Sequence, residues 1–250
     1  MSTYTVMPLR YSDDVPAMVR FLTTLGLARQ VTTEGDRFAE LRAGAGKVMV
    51  HAAEGADAPA APGETVLCLA TARADEASQE LEAAGLQTTV WDESYGRQAM
   101  VTGPAGEAIW INEEQQDLYG YQGHGEEPDA RIVATAIRPS TDFAADRAFF
   151  EKLGLTADPG ASEFWTGMRV DGVVGIHQPH EGWRSVIESE DPRHRFPLVH
   201  LGFETSEPLE ELRDRLAAAG YPAEVVVEDV GPKVHVTDPD GQTIEIHPLP

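Results

Sequence analysis

Two residues near the carboxyl end combine type and setting in a way that could do chemistry. His200 heads the apolar run Val199-His200-Leu201-Gly202-Phe203, and Glu245 is enclosed by Ile244 and Ile246. A carboxylate inside an aliphatic strand costs several kcal/mol if it stays ionised without a partner, so Glu245 demands a metal, an arginine or a proton. A histidine such as His200 serves equally as a packed, hydrogen-bonded side chain or as a ligand. His177 and His51 close other aliphatic stretches, where a histidine often simply meets solvent, and His235 and His247 lie on later strand-like segments.

Other chemistries lack their motifs. The sequence contains no Gly-x-Ser-x-Gly elbow and no His-Glu-x-x-His, and Gly44-Ala45-Gly46-Lys47 lacks both the spacing of a phosphate loop and its trailing Ser or Thr. The single cysteine, Cys68, excludes an intramolecular disulfide and a thiolate metal cluster, and its setting in Val66-Leu67-Cys68-Leu69-Ala70 marks it as a small buried hydrophobe. Acids outnumber bases by 42 to 19 over 250 residues, for a formal net charge of -23 spread along the chain. Such a surface repels phosphate backbones and anionic lipid, so neither nucleic acid nor membrane is expected as a partner. The amino-terminal segment shows no basic stretch followed by an apolar one, and no apolar run nears the roughly 18 residues of a membrane span, so a cytoplasmic protein is expected.

The elements that must position His200 and Glu245 recur along the chain. Asp14 to Leu27 opens on a capping Asp, has Pro16 in its first turn, sets Met18, Phe21, Leu22 and Leu25 on one helical face and stops at Gly26. Asp142 to Leu155 repeats that layout and ends in the same Leu-Gly-Leu. A second helix type, Ala74 to Leu86 and Ser206 to Tyr221, alternates with it, with Ser206 as cap and Leu209, Leu212 and Leu216 as the apolar stripe. Gly26, Gly85, Gly154 and Gly220 thus close four helices, too far apart for a solenoid repeat. Strand-like segments surround each helix in the order strand, helix, three strands, beginning with Tyr4 to Arg10 in the first copy and Thr65 to Ala70 in the second.

Glu113 to Asp129 has no apolar period and reads as a linker. The expected domains are therefore residues 1–115 and 130–250, joined through 116–129. A long polar connection, Pro179 to Arg195, has the length of a lid or binding loop and nominates Trp183 and Arg184 for ligand contact.

This α+β pattern of four βαβββ modules, with its paired Leu-Gly-Leu helix ends, its His200-Leu-Gly-Phe-Glu opening and its Asp238-Pro-Asp-Gly-Gln-Thr-Ile-Glu245 ending, resembles the vicinal oxygen chelate superfamily. That superfamily includes glyoxalases, extradiol dioxygenases, fosfomycin-modifying enzymes and bleomycin resistance proteins. The resemblance implies a tandem protein in which paired modules form open cups, and in which catalytic members hold one divalent metal. His200 and Glu245 stand where the fourth module would supply ligands, while the matching place in the third module falls near Thr135, a poor donor. His177 would complete a two-histidine, one-carboxylate set suited to Fe, Mn, Zn or Ni. The matching places in the first half, Met7, Val66 and Trp110, hold no metal, and His51 corresponds to His177, so the N-terminal cup is expected to be metal-free.

Two functions follow as expectations. One is a glyoxalase-like or dioxygenase-like enzyme whose C-terminal divalent metal works on a small oxygenated substrate, with Glu245 doubling as a base. The other is a non-enzymatic protein that binds or sequesters a small, antibiotic-like molecule against Trp91, Trp110, Trp165 and Trp183, with His51, Trp110, Trp183 and Arg184 in the substrate pocket. A small molecule is the partner in both, and monomer and homodimer are equally compatible with two cups per chain.

Overall fold

The computed structural model describes residues 2–56, 60–93, 96–114, 118–162, 164–179, 181–228 and 231–250. Gln115-Gln116-Asp117 of the expected linker and His180 of the long connection lie outside the described residues. A short strand β1 (Tyr4–Val6) precedes the first module, which comprises β2 (Leu9–Ser12), α1 (Val15–Leu25), β3 (Ala28–Thr33), β4 (Phe38–Arg42) and β5 (Lys47–Ala52). After the two-residue β6 (Thr65–Val66) comes the second module: β7 (Cys68–Thr71), α2 (Ala74–Ala83), β8 (Thr88–Glu93), β9 (Gly96–Thr102) and β10 (Ala108–Glu113). A strand β11 (Tyr121–Gly123) leads to the third module, β12 (Ile132–Pro139), α3 (Phe143–Lys152), β13 (Thr156–Ala157), β14 (Trp165–Val170) and β15 (Gly172–His177). The fourth is β16 (His200–Thr205), α4 (Leu209–Ala218), β17 (Ala223–Glu228), β18 (Gly231–Thr237) and β19 (Thr243–Pro248).

Local chemistry explains most of these boundaries. Asp14 accepts a hydrogen bond from the Ala17 N–H at 2.8 Å and Asp142 from the Ala145 N–H at 3.0 Å, capping α1 and α3 as their sequences predict. The helix-closing glycines Gly26, Gly85, Gly154 and Gly220 all take positive φ, between 81° and 119°, which a side chain would resist. Ser206, in contrast, is not the cap of α4. That helix starts after Pro208, and the residue capping its approach is Thr205, whose Oγ1 accepts from the Glu207 N–H at 2.9 Å. The single strand expected over Tyr4–Arg10 is broken into β1 and β2 around Pro8, which has no N–H to give a ladder. The linker also carries structure: β11 pairs antiparallel with β3, Tyr121 opposite Thr33, and Glu126 forks onto Arg29, so the polar segment covers backbone groups that β3 would otherwise leave open.

The chain groups into two compact units, each drawing segments from both sides of residues 120–135. One comprises Met1–Pro8, Val66–Tyr119 and Ala136–Val199, and the other Leu9–Thr65, Gly120–Thr135 and His200–Pro250. The first unit thus contains the second and third modules, and the second unit the first and fourth, with β12 contributing a half to each. Each unit has its own apolar core. In the first, Leu67, Leu69, Leu81, Ile109, Ile111, Phe150 and Ile176 pack together; in the second, Phe21, Leu22, Leu41, Phe203, Leu216 and Ile246 do. Cys68 lies fully buried in β7. Within the first unit the strand order is β1-β7-β10-β9-β8, with β7 and β10 parallel. Within the second, β11-β3-β4-β5-β2 and β16-β19-β18-β17 follow the same plan, with first and last strands of a module parallel because the helix carries the chain back before the hairpins begin.

A buried ion pair recurs in both units. In the second unit Arg10 forms a salt bridge with Asp238, lies 3.7 Å from Asp240 and donates to Thr65 Oγ1 at 3.1 Å. Asp238 accepts in addition from the Asp240 and Gln242 N–H groups at 3.0 and 2.8 Å, so the Asp-Pro-Asp-Gly turn is held by its own first residue. In the first unit Arg138 meets Glu107 at 2.7 Å and Asp146 at 3.1 Å. Burial pushes the Asp238 and Asp146 carboxyls above their ordinary range despite the neighbouring guanidinium.

Candidate functional site

The last strand of each module shows one alternation. Val48 and Val50, Ile109 and Ile111, Val174 and Ile176, and Ile244 and Ile246 are buried on the helix side. Strand geometry turns the intervening positions to the opposite face: Met49 and His51, Trp110 and Asn112, Gly175 and His177, Glu245 and His247. Only the fourth module places an acid there. In the third module a Cβ on Gly175 would collide with the indole of Trp165, which reaches across from β14 and fills the place.

Glu245 is surrounded by nitrogen donors. Its Oε1 accepts from Lys233 Nζ at 2.8 Å and lies 3.3 Å from His235 Nε2, while Oε2 lies 3.2 Å from His247 Nε2. Lys233 also reaches Glu228 at 2.9 Å. Hydrogen bonding from His247, and then from Lys233, outweighs burial and pushes the Glu245 carboxyl down to about 2. Burial pulls the Lys233 ammonium toward neutrality, but its hydrogen bonds to Glu245 and Glu228 prevail and hold its pKa above the ordinary value. Glu245 is held by a lysine, a partner outside the metal, arginine or proton expected for it.

His200 is exposed at the head of β16. Gly202 pairs with Glu245 in the parallel register, so His200, two residues upstream, shares the sheet face of Glu245. The two ligands expected of the fourth module are therefore on one face. His177 belongs to the other unit, where the Trp183 ring stands edge-on to it at 5.2 Å. Thr135 is buried. Among the described residues, no group of three His, Cys, Asp or Glu side chains is arranged to hold a metal ion. The fit of a divalent metal at Glu245 is poor on chemical grounds, because a cation entering there meets an ammonium already paired with the carboxylate.

The first unit carries the aromatic residues. Trp110 meets Trp91 edge to face at 6.4 Å, Phe196 at 4.3 Å and His194 at 6.0 Å. The polar end of Trp110 is satisfied, its Nε1 donating to the Arg193 carbonyl at 2.9 Å. The Arg193 guanidinium lies 5.8 Å from the Trp91 ring centre and is steadied by Asp191 at 2.6 Å. Beside the indoles, Gln98 Nε2 donates to Asn112 Oδ1 at 2.5 Å. The register of β8, β9 and β10, Trp91 opposite Gln98 and Gln98 opposite Asn112, puts all four on one face. The long polar connection therefore does touch a nominated residue, but through Arg193 and His194 on a 3-10 turn (Pro192–His194). Arg184 is exposed, and Trp183 lies against His177. His51 is in the second unit, 2.7 Å from the Ala52 carbonyl and flanked by Tyr11 and Phe38 at 6.2 and 6.3 Å.

Lys233 was not legible as a partner of Glu245 from residue types alone. The signal was present nonetheless: Lys233 and His235 alternate with Val234 and Val236 as Glu245 and His247 alternate with Ile244 and Ile246, which puts all four on the same face of adjacent strands.

In the first, second and fourth modules the first and last strands pair in parallel, and the chain shares its fold with solved dioxygenases and a glyoxalase. It resembles a 2,3-dioxygenase from Pseudomonas sp. KL28 with a TM-score of 0.63 at 13% identity, over 99% of this chain and 91% of that one. A catechol 2,3-dioxygenase matches with a TM-score of 0.61 at 15% identity, covering 100% of this chain and 89% of the other. A Mn(II)-bound glyoxalase from Novosphingobium aromaticivorans matches with a TM-score of 0.59 at 15% identity, over 99% and 83% of the two chains. No protein-family model and no curated protein matches the sequence. No helix among the described residues is long and apolar enough to cross a membrane.

Proposed function

We propose that the chain binds a small, flat organic molecule on the β8–β10 face of the first unit, without a metal. The observation that carries this reading is the Trp91–Trp110 pair beside the buried Gln98–Asn112 amides, aromatic rings and polar groups on one sheet face. Ring faces supply contact area with little side-chain entropy to lose. The turn bearing Arg193 and His194 lies over Trp110 and closes the platform from one side.

The competing reading is divalent-metal chemistry on a small oxygenated substrate at Glu245, with His200 and His177 as further ligands. Its support is the likeness in fold to two dioxygenases and a Mn(II)-bound glyoxalase. The environment of Glu245 disfavours it, because Lys233 is already paired with the carboxylate.

Titration with 1-naphthol and with catechol, followed by tryptophan emission, tests the binding reading. Saturable quenching is expected, weakened about tenfold in Trp110→Ala, the equivalent of about 1.4 kcal/mol. A flat response to a broad panel of aromatic compounds, or unchanged affinity in a folded Trp110→Ala protein, would overturn it.

A further inference from the structure

We propose that the second unit carries a binding site of its own for an aromatic hydroxyl compound, a phenol or naphthol whose O–H is donated to His51 Nε2. The site shares no residue with the Trp91–Trp110 face of the first unit, so either can fail without the other.

A row of rings across adjacent strands carries the inference. Tyr11 on β2 and Phe38 on β4 both pair with His51 on β5, and Tyr121 on β11 stands opposite Thr33 on β3. Thr33 flanks Phe38 in turn, its Oγ1 accepting from the Phe38 N–H at 3.0 Å. Side chains at paired positions share a sheet face, so the rings meet: Tyr11 and Phe38 lie 6.2 and 6.3 Å from the His51 ring, and Phe38 meets Tyr121 edge-on at 6.4 Å. Phe38, His51 and Tyr121 are only half-buried, whereas Ala39 and Val50, which alternate with them, are sealed in the core behind. The row therefore offers ring surface on the side away from that core.

The imidazole gives this surface its chemical preference. His51 Nδ1 lies 2.7 Å from the Ala52 carbonyl, which can only accept, so the proton of the neutral ring sits on Nδ1 and Nε2 is an acceptor. Nε2 makes no hydrogen bond among the described residues. A plain aromatic hydrocarbon covering the rings would strip water from that nitrogen and return nothing, whereas an aromatic hydroxyl covers the rings and supplies the donor.

The experiment follows the ring nitrogens of isotopically labelled histidine by NMR in untagged full-length protein. The His51 signal is assigned by its absence from His51→Phe, or from His51→Gln should the former not fold. Titration with 1-naphthol is expected to move the His51 Nε2 signal saturably, and 1-methoxynaphthalene, with the same rings and no O–H, to need about a tenfold higher concentration. Because all four tryptophans belong to the first unit, tryptophan emission reads binding there and the His51 signal reads binding here. A His51 signal that stays put up to the solubility limit of 1-naphthol, or that moves at the same concentration of either compound, would overturn the proposal.

Discussion

Glu245 and Trp110 occupy the same strand position in different modules, and that exchange of one residue type divides the chemistry of the chain. Where the position is an acid, it gathers Lys233, His235 and His247; where it is an indole, it gathers Trp91, Phe196 and His194. The pairing around Glu245 makes a prediction about pH. Its carboxyl titrates at about 2 in the folded chain against an ordinary 4.5, so its contribution to stability is complete above about pH 4.5 and is lost as pH falls through 2. Unfolding of wild type and Glu245→Gln by urea across this range should show wild type ahead at neutral pH and the two curves converging in acid. A constant gap at every pH would show that the carboxyl is not held by its neighbours. That His200 and Glu245 share a sheet face was legible because strand parity survives in the sequence. The partner Lys233 was obscured because a lysine on a strand is ordinarily read as solvated, and only the register of β18 against β19 turns it inward.

At the scale of elements, the helix ends were the most readable feature. Capping Asp14 and Asp142 and the closing glycines act through their own backbone, so sequence-local chemistry suffices to find them. The same local spacing holds a repeat that the helix pattern overshadowed: Arg10-Tyr-Ser-Asp-Asp14 and Arg138-Pro-Ser-Thr-Asp142 match at the arginine, the serine and the capping aspartate. The serines accept from the cap N–H groups at 3.2 and 3.1 Å, and each arginine ends against buried carboxylates. What the spacing could not reveal is which acids those are, since Glu107 and Asp238 lie far away in the chain. Replacing Arg138 with Met leaves Glu107 and Asp146 buried without their cation, and the expected loss is about 3–5 kcal/mol in chemical denaturation. A loss under 1 kcal/mol would mean that Arg138 does not hold the two acids in the folded chain.

For the molecule as a whole, the four modules were legible and their grouping was not. The modules announce themselves through periodicity within some 60 residues, whereas the packing of the first with the fourth joins segments separated by most of the chain and leaves no local mark. The grouping sorts the side chains: all four tryptophans, Trp91, Trp110, Trp165 and Trp183, fall in the first unit, and the Glu245 cluster falls in the second. Cys68 belongs to the first unit as well, fully buried, with burial pushing its thiol up to about 12. Such a thiol is inert to disulfide reagents until β7 opens, and the chain has no other thiol to confuse the signal. Its labelling rate with a chromogenic disulfide is therefore a chemical clock for the opening of one strand. If that clock keeps time with the loss of far-ultraviolet circular dichroism in urea, β7 opens only when the chain unfolds; if it runs ahead, the first unit breathes on its own.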